Sequence, residues 1–118
     1  MEIETEKVDL TLNGIEQFTG TQAYHNVLNA NVTDGVNYVM KNGYSWFITD
    51  TLIVIKMKLR NEEFLSIKLK LLDNNKAKMV ITDGNEKTLY TQEYGYTDAK
   101  RELNLFFTDK VMMLNSEY

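Results

Sequence analysis

Cysteine and proline are both absent from this 118-residue chain, and histidine and tryptophan occur once each. Without cysteine there is no disulfide, no thiol nucleophile and no thiolate ligand. The lone histidine, His25, cannot build a multi-histidine metal set, and beside Tyr24 it reads as a surface or satisfied core residue rather than a base. Average usage would put about six prolines in a chain of this length. Their absence, with plentiful Asn, Lys, Ile and Tyr, reads as a base-composition bias and carries no mechanism. No apolar run approaches the ~20 residues of a spanning helix, so no membrane is expected. Neither G-x-x-x-x-G-K-[ST] nor G-x-G-x-x-G occurs, which leaves phosphate cradling by a glycine loop unsupported. Calcium would need a D-x-[DN]-x-[DN]-G array, which is also missing. Ser45, Ser66 and Ser116 lack the G-x-S-x-G setting of a nucleophile. The expectation is therefore no catalytic residue, no metal, no cofactor and no enzyme. The surviving enzymatic alternative is a set of dispersed carboxylates, Asp34, Asp50 and Asp98, converging in space. The Thr-Asp pairs at Asp83, Asp98 and Asp109 read better as turn and cap chemistry.

What is present suits one small globular domain with its own core. The net charge of −4 argues against a general nucleic-acid binder. The charge is unevenly placed. Glu2, Glu4, Glu6, Asp9 and Glu16 crowd the start, whereas Lys56, Lys58, Arg60, Lys68, Lys70, Lys76 and Lys78 make the middle basic. Such asymmetry steers charged partners at long range. The acidic opening is no secretory signal, so a cytoplasmic location is expected.

The chain divides into an acidic N-terminal segment, residues 1–17, and a single domain, residues 18–118. In residues 7–18, Val8, Leu10 and Leu12 alternate like a strand, while Leu12, Ile15 and Phe18 have helical spacing. Thr21 caps an expected short helix carrying Tyr24, Val27 and Leu28 on one face. Thr33-Asp34-Gly35 caps a second helix, with Val36, Val39 and Met40 on one stripe, and Asn42-Gly43 ends it. Tyr44 to Leu52 reads as a buried helix. Residues 53–60 fit either its continuation or a strand, because Ile55 to Arg60 alternates. Phe64 to Leu71 then alternates cleanly, with Leu65, Ile67, Leu69 and Leu71 on one face. Strands are expected over Ala77–Ile81, Thr88–Tyr94, Leu103–Phe107 and Val111–Leu114, around turns at Asp73-Asn74-Asn75, Asp83-Gly84-Asn85 and Thr108-Asp109-Lys110. The expected architecture is α+β, with N-terminal helices packed on one face of a C-terminal antiparallel β-meander.

The candidate partner-binding residues are the acidic Glu2, Glu4 and Glu6, the basic Lys56, Lys58, Lys68 and Lys70, and the aromatic Tyr90 and Tyr94. Tyrosines beside lysines fit base stacking, fit protein-interface anchoring, and fit sheet residues with one wet edge. A homodimer is a further expectation, through an edge strand near the carboxy terminus or through apolar excess around Trp46 to Leu59. The ending Met113-Leu114-Asn115-Ser116-Glu117-Tyr118 runs straight out of an apolar strand. Tyr118 should therefore be ordered against the sheet or against the helix carrying Trp46.

Several stretches together resemble a family of short bacterial and phage domains of unknown function. They are Phe18-Thr19-Gly20-Thr21 with Tyr24-His25, Thr33-Asp34-Gly35-Val36 with Tyr38, Tyr44 with Trp46 and Asp50, Thr91-Gln92-Glu93 with Tyr96-Thr97-Asp98, and the ending. Asn115 departs from the family's L-P-S-E-Y, and a proline-containing segment after the central helix is replaced by Ile53 to Arg60. The resemblance implies no activity to carry over; it implies a setting in phages and mobile elements. The leading expectation is thus a non-enzymatic binding protein that inhibits a bacterial defence system, anti-CRISPR-like, by contact with a host or phage protein such as an RNA-guided effector nuclease. The acidic start would mimic nucleic acid. The alternatives are a small RNA-binding or guide-RNA-interfering module and an uncharacterised housekeeping domain.

Overall fold

A computed structural model describes residues 8–85 and 87–118. The chain begins with turns and a short 3-10 helix, Ile15–Gln17, and then forms strands β1 (Tyr24–Val27) and β2 (Ala30–Thr33). Helix α1 (Asp34–Val39) runs through a wide turn, Met40–Tyr44, into helix α2 (Ser45–Lys58). Five strands follow: β3 (Phe64–Leu72), β4 (Lys76–Thr82), β5 (Thr88–Tyr94), β6 (Leu103–Thr108) and β7 (Val111–Leu114). A 3-10 turn, Asn115–Glu117, leads to Tyr118.

The fold is α+β, but the expected order of elements needs correction. The chain does not open with helices: the expected helix over Tyr24, Val27 and Leu28 is a β-hairpin. Leu28 and Asn29 both take positive φ (51° and 64°), the handedness of a two-residue hairpin turn, and Val27 pairs with Ala30. The helical spacing of three apolar residues was outweighed by pairing with β7, supplied about 80 residues later. The helices lie in mid-chain. The sheet is mixed rather than an antiparallel meander, with strand order β1-β2-β7-β6-β3-β4-β5 and a parallel pairing of β2 with β7 (Val32 beside Met112). Only β3-β4-β5 meanders; residues 95–102 then carry the chain back to place β6 on the other side of β3. Because β7 lies between β6 and β2, the carboxy-terminal strand is not an edge and offers no free ladder to a second copy. The edges are β1 and β5.

Local chemistry sets the helix limits. The Thr33 hydroxyl accepts from Val36 N–H at 3.4 Å, the expected N-cap. Gly43, at φ 101°, breaks α1 from α2; a Cβ there would also meet Leu10 Cδ2 at 2.5 Å. Residues 53–58 continue α2 as helix, which resolves the open reading of that stretch.

Alternation along the strands sends Leu65, Ile67, Leu69, Ala77, Met79, Ile81, Leu103, Leu105, Met112 and Leu114 to one face. They join Phe47, Ile48, Leu52 and Ile55 of α2 in a single buried cluster. Ile53 and Met57 remain exposed on the outer side of the helix. Residues 8–17 pack onto this body, with Leu12 fully buried and the Arg101 guanidinium 2.8 Å from Glu16.

Candidate binding surface

Many of the residues that carry the family resemblance meet at two places. The first is the start of α1. Glu117 folds back so that its carboxylate accepts from the Thr33 hydroxyl (2.6 Å), Gly35 N–H (3.1 Å) and Leu114 N–H (2.9 Å). Of these, Gly35 N–H is a donor that the N-terminus of α1 leaves without an intrahelical partner, and a negative charge there also complements the helix dipole. Ser116 donates to the Phe18 carbonyl at 2.8 Å, and Phe18 packs against the Tyr38 ring. Asp34 accepts from His25 Nε2 (2.9 Å) and Gln22 N–H (3.0 Å), while its own N–H bonds the Thr21 hydroxyl. The hydrogen bond from His25, then that from Gln22, holds the Asp34 carboxyl below its ordinary range. Each polar group in this knot has a partner that serves the fold.

The second place is the pair Tyr44 and Trp46. The Tyr44 hydroxyl donates to Leu10 C=O and accepts from Lys100 and Arg101 N–H, both at 3.1 Å. It thereby ties the N-terminal segment to the β5–β6 connection, and burial pushes its phenol up. Trp46 stands edge-on to Tyr94 at 4.9 Å, and Tyr94 donates to Asp50 at 3.1 Å. Burial, then the nearby Asp50 charge, raises the Tyr94 phenol well above its ordinary value.

Among the described residues, no helix packs on the face of the sheet opposite α2. Phe64, Ser66, Lys68 and Lys70 of β3, Lys78, Val80 and Thr82 of β4, Thr91 and Glu93 of β5, and Asn104 and Phe106 of β6 share it by strand parity. Where β3 begins, Phe64 and Phe106 lie 5.2 Å apart, and Tyr118 closes on both edge-on at 5.7 and 5.2 Å. Tyr118 is therefore ordered against the sheet, on this face and away from Trp46, although 75% of it stays exposed. Beside the rings lies a recess of about 360 Å³ lined by Phe64, Ser66, Lys68, Thr82, Gly84 and Phe106. Phe64 and Phe106 are half-buried and Tyr118 is exposed, and together they form an apolar patch with polar neighbours, as interaction surfaces do.

The expected site residues do not form one cluster. Lys68 and Lys70 lie on this open face. Tyr90 and Tyr94 point the other way, since they pair with Ile81 and Ala77 on the helix side. Lys58 sits over the Tyr90 ring at 5.4 Å, a cation–π contact within the fold. Lys56, at the end of α2, lines a separate apolar cleft with Leu28, Ile55, Arg60 and Phe107. Glu2, Glu4 and Glu6 lie outside the described residues. The three dispersed carboxylates do not form one cluster: Asp50 and Asp98 both lie near Tyr94, whereas Asp34 follows β2, five strand spacings or roughly 24 Å from β5 across the sheet. Among the described residues, no group of three or more His, Cys, Asp or Glu side chains could hold a metal ion, and no helix is long and apolar enough to cross a membrane.

Phe64, Phe106 and Tyr118 were not among the expected site residues. Parity was the available signal: Phe64 shares a face with Lys68 and Lys70 once Leu65, Ile67 and Leu69 are assigned to the core. Its pairing with Phe106 depends on β6 lying beside β3, which no local pattern encodes. No curated protein and no solved structure matches the chain. A family profile does match, over residues 9–118. Spanning nearly the whole chain, from the Asp9 turn to Tyr118, that match assigns it to a family of unknown function, DUF6876, to which it belongs.

Proposed function

We propose that this chain is a non-enzymatic binding protein that acts by protein–protein contact. In the phage and mobile-element setting that the family resemblance implies, it inhibits a bacterial defence system in the manner of an anti-CRISPR protein. The observation that supports this reading best is the uncovered sheet face, where Phe64, Phe106 and Tyr118 present ring surface among polar neighbours. Aromatic residues are enriched at the centres of protein interfaces and dominate their energetics. The family-signature groups Thr33, Gly35, Tyr44 and Glu117 are by contrast engaged in holding the fold. A mildly acidic chain also suits a basic partner groove better than it suits a nucleic acid.

The test is capture of partners from host lysate with the tagged chain, alongside an interference assay in cells. A stable partner and suppressed interference are expected. Both should be lost in F106A and Y118A, with circular dichroism showing that the variants still fold. Absence of a stable partner together with undiminished interference overturns the reading.

A second reading, a small RNA-binding module, draws on the same face. Lys68 lines the recess beside the rings, and farther along the same face Lys70 stands directly opposite Lys78, a like-charge pair that an anionic ligand would relieve. Exposed rings stack bases at about 1–3 kcal/mol each. RNA affinity must then fall steeply with salt; affinity that holds constant as salt rises rejects it.

A further inference from the structure

A different part of the surface, on the helix side at the β5 edge, forms a small recess lined by Trp46, Tyr94, Tyr96, Thr97 and Asp98, with a volume of about 270 Å³. Two of its walls are held in place. Trp46 projects from the first turn of α2 and meets the Tyr94 ring at 78° and 4.9 Å. Tyr94 is anchored by its hydrogen bond to Asp50. The floor is equally well tied: Thr97 is buried, its N–H bonds Asn75 C=O at 2.7 Å, and its hydroxyl accepts from Ala99 N–H. On this anchored loop the Tyr96 ring is nonetheless 74% exposed, and Asp98 next to it is exposed as well. Among the described residues, no lysine or arginine lines the recess.

We infer that this recess receives an arginine side chain of a protein partner. Three aromatic residues line the recess, aromatic rings attract cations to their negative π faces, and a planar guanidinium both stacks on such rings and pairs bidentately with a carboxylate. Asp98 supplies that carboxylate at the rim. The volume is below that of a drug-sized pocket, which suits one side chain entering from outside. A free amino acid fits worse, because its α-carboxylate would face Asp98 with no lining cation to balance it. The inference rests on the reading that the chain works by protein contact, but it uses a surface apart from Phe64, Phe106 and Tyr118.

Trp46 is the only tryptophan, so its fluorescence reports this recess in the unmodified protein. Titration with a short capped peptide containing one arginine should change Trp46 emission saturably, in the millimolar range. The same peptide with citrulline, a neutral isostere, should not, and free arginine should bind more weakly than the peptide. Y96A and D98N should each weaken the response about five-fold or more; both positions are exposed, and a thermal melt confirms that the variants fold. An equal response to citrulline, no saturable response, tighter binding of free arginine, or a response unchanged in both variants overturns the inference. Because the peptide titration needs no captured partner, it can fail while the sheet-face reading stands, and the reverse also holds.

Discussion

Gly35 and Glu117 stand so close that the carboxylate occupies the space a side chain at position 35 would need. A Cβ on Gly35 would lie 2.5 Å from Glu117 Oε1 and 2.5 Å from Leu114 Cδ1. Alanine normally stabilises a helical position relative to glycine by roughly 0.5–1 kcal/mol. Here the sign reverses, because the methyl must displace both the carboxylate and a buried leucine. G35A is expected to lose about 1–3 kcal/mol, the usual scale of overpacking. Urea denaturation decides it; equal or greater stability would show that Glu117 is not held against the helix.

Glu117 itself accepts three hydrogen bonds. Glutamine keeps the shape but turns an NH2 towards donors. E117Q should therefore lose about 1.5–3 kcal/mol, in the range for hydrogen bonds to a charged group. A chain ending at Asn115 should lose more, since Ser116 and the Tyr118 ring leave too, and its melting temperature should fall below that of E117Q. A melt unchanged by the deletion would make the Ser116-Glu117-Tyr118 ending a partner contact instead of a structural latch.

The Tyr44 hydroxyl joins three separated stretches through Leu10, Lys100 and Arg101. Y44F leaves the ring in the core but strands a carbonyl and two N–H groups, with an expected cost of about 1–3 kcal/mol. Hydrogen exchange should reveal the site of the damage: amides of residues 100 and 101 should lose protection before those of β3 and β4.

Acid should loosen the start of α1. The Asp34 carboxyl is held below its ordinary 3.8 by His25 and Gln22. A carboxyl with a lowered folded-state pKa contributes stability that is present in full above its ordinary value and is lost as the pH falls through its folded one. D34N should therefore be less stable than the parent at neutral pH, with the difference shrinking as the pH drops below about 4. Asp9, held down by the Thr11 hydroxyl and Asn13 N–H, and Glu16, held down by Arg101, shift the same way and contribute to the same acid limb. Parallel stability curves for parent and D34N from pH 7 down to 2.5 would contradict this assignment.

Short-range sterics and alternation made part of the fold legible in the residues alone. Thr33 caps a helix because its hydroxyl sits one turn ahead of an apolar stripe. Gly43 ends α1 because it accepts a left-handed backbone. The strands from Phe64 onward follow from period-two alternation between asparagine- and aspartate-bearing turns, where Asn74, Asn75 and Asp109 take positive φ. The tertiary structure alone decided the neighbours. Tyr24 to Val27 became a strand because β2 gained β7 as a parallel partner, and that pairing free energy outweighs a helical spacing only three residues deep. The same long-range pairing removed β7 from the sheet edge, separated Lys68 and Lys70 from Tyr90 and Tyr94 onto opposite faces, and set Phe64 beside Phe106. Such placements depend on hydrogen bonds and burial between residues tens of positions apart, which a local reading of the chain does not contain.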